Sequence, residues 1–187
     1  IAGTPVKLAR SGWSGQGGFE IYLQDSSKGN DLWDLFWEAG KKYNLQAGAP
    51  NLIERIETGL KSYGADITID SDPFEAGFEA YMDLGKEAEY MCREALAKIA
   101  KSGPEKRLVN LFIDGEKLAD LRSDWSVLSD SGDHIGVVTS QAYAPRYEAN
   151  LAFAIVAAAH ASVGNTVKVD AEGIVRDATI RDARWRE

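Results

Sequence analysis

The sequence contains a single cysteine, Cys92, and only two histidines, His134 and His160. A single cysteine cannot form an internal disulfide. The two histidines have no cysteine or carboxylate at metal-ligand spacing, so we expect no metal site. The longest apolar stretch, Leu151 to Ala161, is far shorter than the roughly 20 residues that a transmembrane helix needs. We therefore expect no membrane segment.

Positive charge is also scarce, since 21 Lys and Arg stand against 29 Asp and Glu, a formal net charge of −8. This balance argues against a broad electrostatic contact with nucleic acid or an anionic membrane. The chain does not open with Met, and its first residues are typical of the approach to a strand rather than of a signal peptide. We expect a cytoplasmic protein whose sequence continues upstream of Ile1.

The first part of the chain shows a strand pattern followed by a helix pattern. Apolar and polar residues alternate over residues 19–24, which predicts a half-buried strand. Apolar residues at helical spacing over residues 32–39 then predict a helix, with Asn30 or Asp31 as its N-cap.

Two further helical patterns follow. One begins near Pro50 and places Arg55 on an outward face. The other is the most regular amphipathic pattern of the chain and lies within residues 86–102. It places Cys92 on the apolar stripe, which predicts a buried and unreactive thiol.

The periodicity changes at the Ser102-Gly103-Pro104 segment. Short strand patterns follow, separated by turn signals of the Asp-Gly and Ser-Gly kind. The predicted strands cover residues 108–114, 125–128, 134–140, 150–157, 166–169 and 174–180. Several short strands at this spacing favour a small barrel or sandwich.

A glycine-rich segment, residues 10–23, leads into the first predicted strand. Phosphate-binding glycine loops follow a strand and begin a helix. These glycines precede a strand instead, so we exclude nucleotide binding. The turn would present Glu20 and Tyr22 on one strand face with Trp13 nearby. Such a carboxylate and aromatic rings could bind a flat heterocycle. The pattern also fits a strand whose solvent face merely carries polar residues.

The run Arg-Ser-Gly-Trp-Ser-Gly-Gln-Gly-Gly-Phe-Glu, residues 10–20, resembles a strand motif of the glycine-cleavage T-protein (aminomethyltransferase) family. Residues 32–40, 55–67, 72–78 and 136–145 resemble later segments of the same family, in the same order. Because the resemblance extends over essentially the whole chain, the sequence is similar to the C-terminal portion of a family member.

The resemblance implies an α+β fold in three parts. Residues 1–85 would form the second half of a folate-binding domain, residues 86–102 a connecting helix, and residues 103–187 a small antiparallel β-barrel domain. The catalytic Asp of the family lies upstream of these segments. We therefore expect no catalytic residue in this chain.

The resemblance also implies ligand contacts. Glu20 would contact the pterin ring of tetrahydrofolate, Arg55 would bind the glutamyl carboxylate of the folate tail, and Tyr63 would be a further folate contact. Trp13 and Tyr22 resemble the aromatic residues of the sulfonium pocket in the dimethylsulfoniopropionate demethylases of this family. A sulfonium cation is held well by aromatic faces, and best by Trp.

The function implied by the resemblance is transfer of a methyl group from a sulfonium donor, such as dimethylsulfoniopropionate, to tetrahydrofolate. The expected partners are the small-molecule donor, the folate and the upstream part of the same chain. Three alternatives remain: the aminomethyltransferase of the glycine cleavage system, an O-demethylase of aromatic acids, and a non-catalytic folate-binding relative.

Overall fold

The computed structural model describes residues 1–12, 17–49, 51–120 and 124–182. The chain divides into two compact units, Ile1–Arg55 and Ile56–Glu187. Within the described ranges, no helix is both long enough and apolar enough to cross a membrane. The domain limits expected at residues 85 and 102 stay predictions.

The first unit contains an antiparallel ribbon of two short strands. Strands β1 (Val6–Ala9) and β2 (Glu20–Leu23) pair so that Lys7 lies opposite Tyr22 and Ala9 lies opposite Glu20. Along β2, exposed residues alternate with half-buried ones. The alternation predicted for this strand is therefore confirmed, and it places Glu20 and Tyr22 on the same face.

Helix α1 (Gly29–Gly40) follows the ribbon and begins earlier than the sequence predicts. A 3₁₀ turn, Ser26–Lys28, runs directly into it, so neither Asn30 nor Asp31 is its N-cap, and that prediction is wrong. Asp25 caps the 3₁₀ turn instead, accepting a hydrogen bond from the Ser27 backbone N–H at 3.0 Å. The bonds from the hydroxyl and N–H of Ser27 hold the pKa of the Asp25 carboxyl below its usual value.

The apolar side of α1 stays accessible. Trp33 and Trp37, one turn apart, stack with ring centroids 5.9 Å apart and an interplanar angle of 16°. Trp33 is 58% exposed, and no residue of α1 is buried. In the predicted apolar stripe, Leu35 and Phe36 are 39% and 37% exposed, so the helix was predicted correctly and its stripe is not buried.

Helices α2 (Leu52–Glu57) and α3 (Arg93–Ser102) correct two predictions. The pattern placed Arg55 on an outward face of α2, but this residue is buried, with 3% of its surface exposed. Helix α3 begins at Arg93 rather than Lys86, because Cys92 just before it has a left-handed backbone with φ of 63°. Cys92 is exposed, so the prediction of a buried thiol is wrong.

Six antiparallel strands form a closed barrel in the second unit, and the fold class is therefore the expected α+β with a C-terminal barrel. The strands are β3 (Lys106–Ile113), β4 (Trp125–Leu128), β5 (His134–Ala144), β6 (Ala149–Ala157), β7 (Thr166–Ala171) and β8 (Ile174–Arg181). Their order around the barrel is β3-β6-β5-β4-β7-β8, and β8 pairs with β3 to close it.

The barrel interior is filled by aliphatic side chains around one indole. Trp125, Leu111, Ile113 and Ile180 are among its fully buried members. Gly136 lies where β5 and β6 approach closely, since a Cβ added there would be 2.1 Å from the Ile155 carbonyl oxygen. A side chain at this position would therefore separate two strands of the barrel.

The segment between α2 and α3 is made mainly of turns, and its residues 75–79 form hydrogen bonds and an ion pair with β3. The Leu108 backbone N–H donates to the Glu75 carbonyl at 2.8 Å. Arg107 Nη1 lies 2.7 Å from Glu79 Oε1. These bonds tie residues 75–79 to the barrel strand within the second unit.

Candidate functional site

The ribbon face that carries Glu20 and Tyr22 is the candidate ligand surface of the first unit. Residues directly opposite one another in an antiparallel pair share a face. Ala9 and Lys7 on β1 therefore lie on the same face as Glu20 and Tyr22. Both Glu20 and Tyr22 are exposed, and Tyr22 keeps 54% of its surface accessible. A small residue, a carboxylate, a phenol and an ammonium group thus share one accessible surface.

The Glu20 carboxylate is oriented by two hydroxyl groups. Ser11 Oγ donates a hydrogen bond to Glu20 Oε2, and Tyr22 Oη donates to the same oxygen at 3.5 Å. Among the described residues, no group donates to the second oxygen, Oε1. Oε2 therefore has two hydroxyl donors, and a carboxylate can accept further N–H donors from a ligand.

Arg10 and Phe19, which flank the two strands, contact one another. The Arg10 guanidinium lies over the Phe19 ring, 5.4 Å from its centroid. This contact links the residue that follows β1 to the residue that precedes β2. Trp13, predicted as a donor contact, lies in residues 13–16, outside the described residues, so its role stays a prediction.

Arg55 and Tyr63 differ in accessibility. Arg55 is buried near the end of α2, where a guanidinium requires partners within the protein. Tyr63 is 70% exposed and belongs to the second unit. The structure thus brings Glu20 and Tyr22 together, while the folate contacts predicted for Arg55 and Tyr63 stay predictions.

The backbone around Tyr63 is tightly folded. The Gly64 N–H donates to the Ile67 carbonyl at 2.7 Å, and the Asp66 N–H donates to the Ser62 carbonyl at 2.9 Å. Gly64 adopts a φ of 92°, a conformation that favours glycine. The phenol of Tyr63 is therefore presented to solvent by an ordered turn.

Lys61, next to this turn, is a partly buried cation. Its Nζ donates to the Ala76 carbonyl and lies 4.7 Å from the centroid of the Phe78 ring. Burial lowers the pKa of the Lys61 ammonium, and the nearby carboxylates of Glu79 and Asp66 partly oppose this change. The contacts of Lys61 explain its position structurally, without a ligand.

Two polar residues that orient parts of these sites were not predicted as site residues from the sequence. Ser11, which bonds Glu20, lies nine residues before it, and no periodicity connects them. Asp66 is almost fully buried and accepts bonds from β5. Asp66 lies within residues 55–67, which resemble the family. Its presence in that segment was the sequence signal that could have indicated a role for it. In the described part of the chain, no group of three or more His, Cys, Asp or Glu could hold a metal ion.

Comparison with known proteins finds two family matches. The GCVT N-terminal domain matches residues 1–86, and the glycine cleavage T-protein C-terminal barrel domain matches residues 106–184. A dimethylsulfoniopropionate demethylase of Ruegeria pomeroyi is 38% identical over 184 residues, which cover 98% of this chain and 50% of that protein. An aminomethyltransferase of a Synechococcus strain is 36% identical over 175 residues, covering 94% of this chain and 46% of the relative.

Among solved structures, the glycine cleavage system aminomethyltransferase T of Bartonella henselae superposes with a TM-score of 0.81. It is 24% identical and is matched over 95% of this chain and 48% of its own length. At that identity the likeness establishes the fold. The chain spans about half the length of the relatives it matches. With both halves of the family's domain pattern matched in order, the chain belongs to the glycine cleavage T-protein family.

Proposed function

We propose that this chain is part of a tetrahydrofolate-dependent one-carbon transferase that moves a methyl group from a sulfonium donor to tetrahydrofolate. The observation that carries the proposal is the exposed face of β2, where Glu20 and Tyr22 stand side by side in a T-protein family chain. The relative named as a dimethylsulfoniopropionate demethylase supports a donor of the dimethylsulfoniopropionate type.

The chemistry of Glu20 fits the folate part of this proposal. A pterin presents neighbouring N–H donors along one edge, and a carboxylate accepts such donors well. Ser11 and Tyr22 both bond Oε2 of Glu20, which orients the carboxylate before a ligand arrives. Preorganisation of this kind reduces the ordering cost of binding.

The donor part of the proposal rests on aromatic residues. Tyr22 is accessible on the same face as Glu20, and Trp13 precedes the strand in sequence. Aromatic faces attract a sulfonium cation through the ring quadrupole. In the proposed reaction the N5 nitrogen of tetrahydrofolate attacks the methyl carbon, the carbon–sulfur bond breaks with its electron pair on sulfur, and the N5 proton is then lost to water. The neutral thioether leaves, so the protein mainly has to align donor and acceptor.

The second candidate function is that of an aminomethyltransferase. Several relatives carry this name at 33–36% identity. This reaction requires a carboxylate near the folate nitrogens, and in the proposed assignment that carboxylate belongs to the upstream half of a longer polypeptide. The coverage of about half of each relative supports such a polypeptide.

We expect residues 1–187 alone to show no one-carbon transfer. The proposed upstream half would supply part of the binding site as well as the carboxylate, so this half alone would not align donor and folate. The measurement is product formation from dimethylsulfoniopropionate and, separately, from an aminomethyl donor, with the full-length polypeptide as the positive control. Turnover by the 187-residue chain would contradict the proposal that the upstream half completes the site.

Replacing Trp13 with alanine in the full-length polypeptide distinguishes the two candidate functions. We expect the apparent Michaelis constant for the sulfonium donor to rise, by a factor that corresponds to a loss of about 0.5–2 kcal/mol of binding free energy, the size of a cation–π contact. Folate affinity should change little. Steady-state donor titration and calorimetric folate binding measure the two effects.

The matched control for this test is Trp33→Ala, which also removes an exposed indole in the first unit but from helix α1. It should leave the donor constant unchanged. If Trp13→Ala weakened folate binding and left the apparent donor constant unchanged, the sulfonium-pocket assignment would be wrong. The aminomethyltransferase function would then be favoured.

A further inference from the structure

A buried carboxylate ties the Tyr63 turn to the barrel. Asp66 is 1% exposed. Its Oδ2 accepts a hydrogen bond from the Ser62 backbone N–H at 2.7 Å. Its Oδ1 accepts from Thr139 Oγ1 at 2.8 Å and from Ser140 Oγ at 2.6 Å. One side chain thus bonds both the start of the turn and strand β5.

The two hydroxyls reach the same oxygen because β5 is irregular at this point. Neighbouring side chains in a regular strand point to opposite faces. Here the pairing of β5 with β6 shifts between Val138 and Ser140, so Thr139 is the extra residue. Such a bulge changes the direction of a side chain locally. It allows Thr139 and Ser140 to donate to Asp66 together.

This arrangement leaves the Tyr63 side chain accessible while fixing its backbone. Ser62 and Asp66 lie at the two ends of the turn. The Asp66 carboxylate accepts from the Ser62 N–H and from Ser140 of β5, so it joins both ends of the turn to the strand. Inside the turn, the Gly64 and Asp66 N–H groups complete the backbone bonds. The backbone that carries the exposed Tyr63 phenol is therefore fixed to strand β5 of the barrel.

We propose that Asp66 is a positioning residue, which holds the turn of residues 62–67 on strand β5 so that Tyr63 is oriented for a ligand. The proposal rests on the proposed function, because the ligand in question is tetrahydrofolate. Asp66 is too deeply buried to touch a ligand itself, and it acts through Tyr63.

The test is Asp66→Asn in the full-length polypeptide. The amide has one acceptor oxygen and no charge, so it cannot accept from the Ser62 N–H and from both hydroxyls as the carboxylate does. We expect faster hydrogen exchange at the Gly64 and Asp66 amides and a folate dissociation constant raised about fivefold to tenfold. The donor constant should stay the same. Asp70→Asn, which changes an exposed carboxylate of the neighbouring loop, is the matched control and should alter neither quantity.

A double-variant cycle separates positioning from a general loss of stability. If Asp66 acts through Tyr63, Asp66→Asn combined with Tyr63→Ala should weaken folate binding no more than Tyr63→Ala alone. Additive losses, or unchanged amide exchange in Asp66→Asn, would overturn the proposal. Should Asp66→Asn fail to fold, Ser140→Ala removes one donor and should show the same changes at smaller size.

The cycle also distinguishes this proposal from the proposed function. If Tyr63→Ala left folate affinity unchanged while wild type bound folate, the positioning role would be overturned and the proposed function would stand. If wild type did not bind tetrahydrofolate at all, the proposed function would fail instead. Faster hydrogen exchange at the Gly64 and Asp66 amides of Asp66→Asn would then show only that the carboxylate holds the turn on β5, and the role in folate binding would fail with the proposed function.

Discussion

Glu20→Ala should weaken tetrahydrofolate binding by about 1.5–3 kcal/mol, the usual contribution of a hydrogen bond to a charged group. This corresponds to roughly a 10- to 150-fold rise in the dissociation constant. The reason is that the carboxylate is the charged acceptor on the exposed face of β2, already oriented by Ser11 and Tyr22. Calorimetric titration of the full-length polypeptide with tetrahydrofolate measures the change.

Two further variants make the Glu20 test specific. Glu38→Ala removes an exposed carboxylate from α1 of the same unit, where its partner is Lys41, and should leave folate affinity unchanged. Ser11→Ala removes one orienting hydroxyl and should cause a smaller loss than Glu20→Ala. Wild-type affinity in Glu20→Ala would rule out this carboxylate as the pterin contact.

Gly136→Ala should destabilise the barrel by about 3 kcal/mol or more, at the upper end of the range for overpacked sites. The added methyl would lie 2.1 Å from the Ile155 carbonyl oxygen and 2.8 Å from Val156 Cα. Both are backbone atoms, which cannot rotate away as a side chain could. Thermal unfolding followed by calorimetry should show the barrel midpoint lowered by roughly 10 °C.

Gly85→Ala is the control for this effect. Gly85 also lies in the second unit, and an added Cβ there would meet only Asp83 Oδ1 at 3.4 Å, an ordinary contact. Its expected change in midpoint is small. Equal unfolding temperatures for Gly136→Ala and wild type would show that β5 and β6 accommodate the methyl group without loss of stability.

Much of the barrel was predictable because strands such as β4 and β7 alternate and are followed by glycine turns. The bounds of β4, Trp125–Leu128, agree with the prediction. Strand β5 extends to Ala144, four residues beyond the predicted end at Ser140. The bulge at Thr139 shifts the phase of the pattern. The residues that follow it are mostly buried, which removes the alternation that marks a strand.

The helices were less predictable because a local pattern gives spacing but no tertiary surroundings. The periodicity placed Arg55 outside and Cys92 inside, and the structure has the reverse. Cys92 stands in a left-handed conformation before α3, so it is not part of the helix whose stripe it appeared to continue.

The candidate site was predictable where it depends on one strand. Alternation alone places Glu20 and Tyr22 on one face of β2, and the structure agrees. The bonds of Asp66 to Thr139 and Ser140 join residues 73 and 74 positions apart. Since they depend on how the chain folds back on β5, no local pattern could have indicated them.

The closure of the barrel also affects how the chain could self-associate. In the described part of the chain, every barrel strand has neighbours on both sides, whereas β1 and β2 pair only with each other. An open strand edge can accept a strand from another molecule and start edge-to-edge aggregation. Leu8 on β1 and Phe19 just before β2 are exposed. During heating or concentration, we therefore expect intermolecular strand addition to begin at the β1–β2 ribbon, while the barrel resists it.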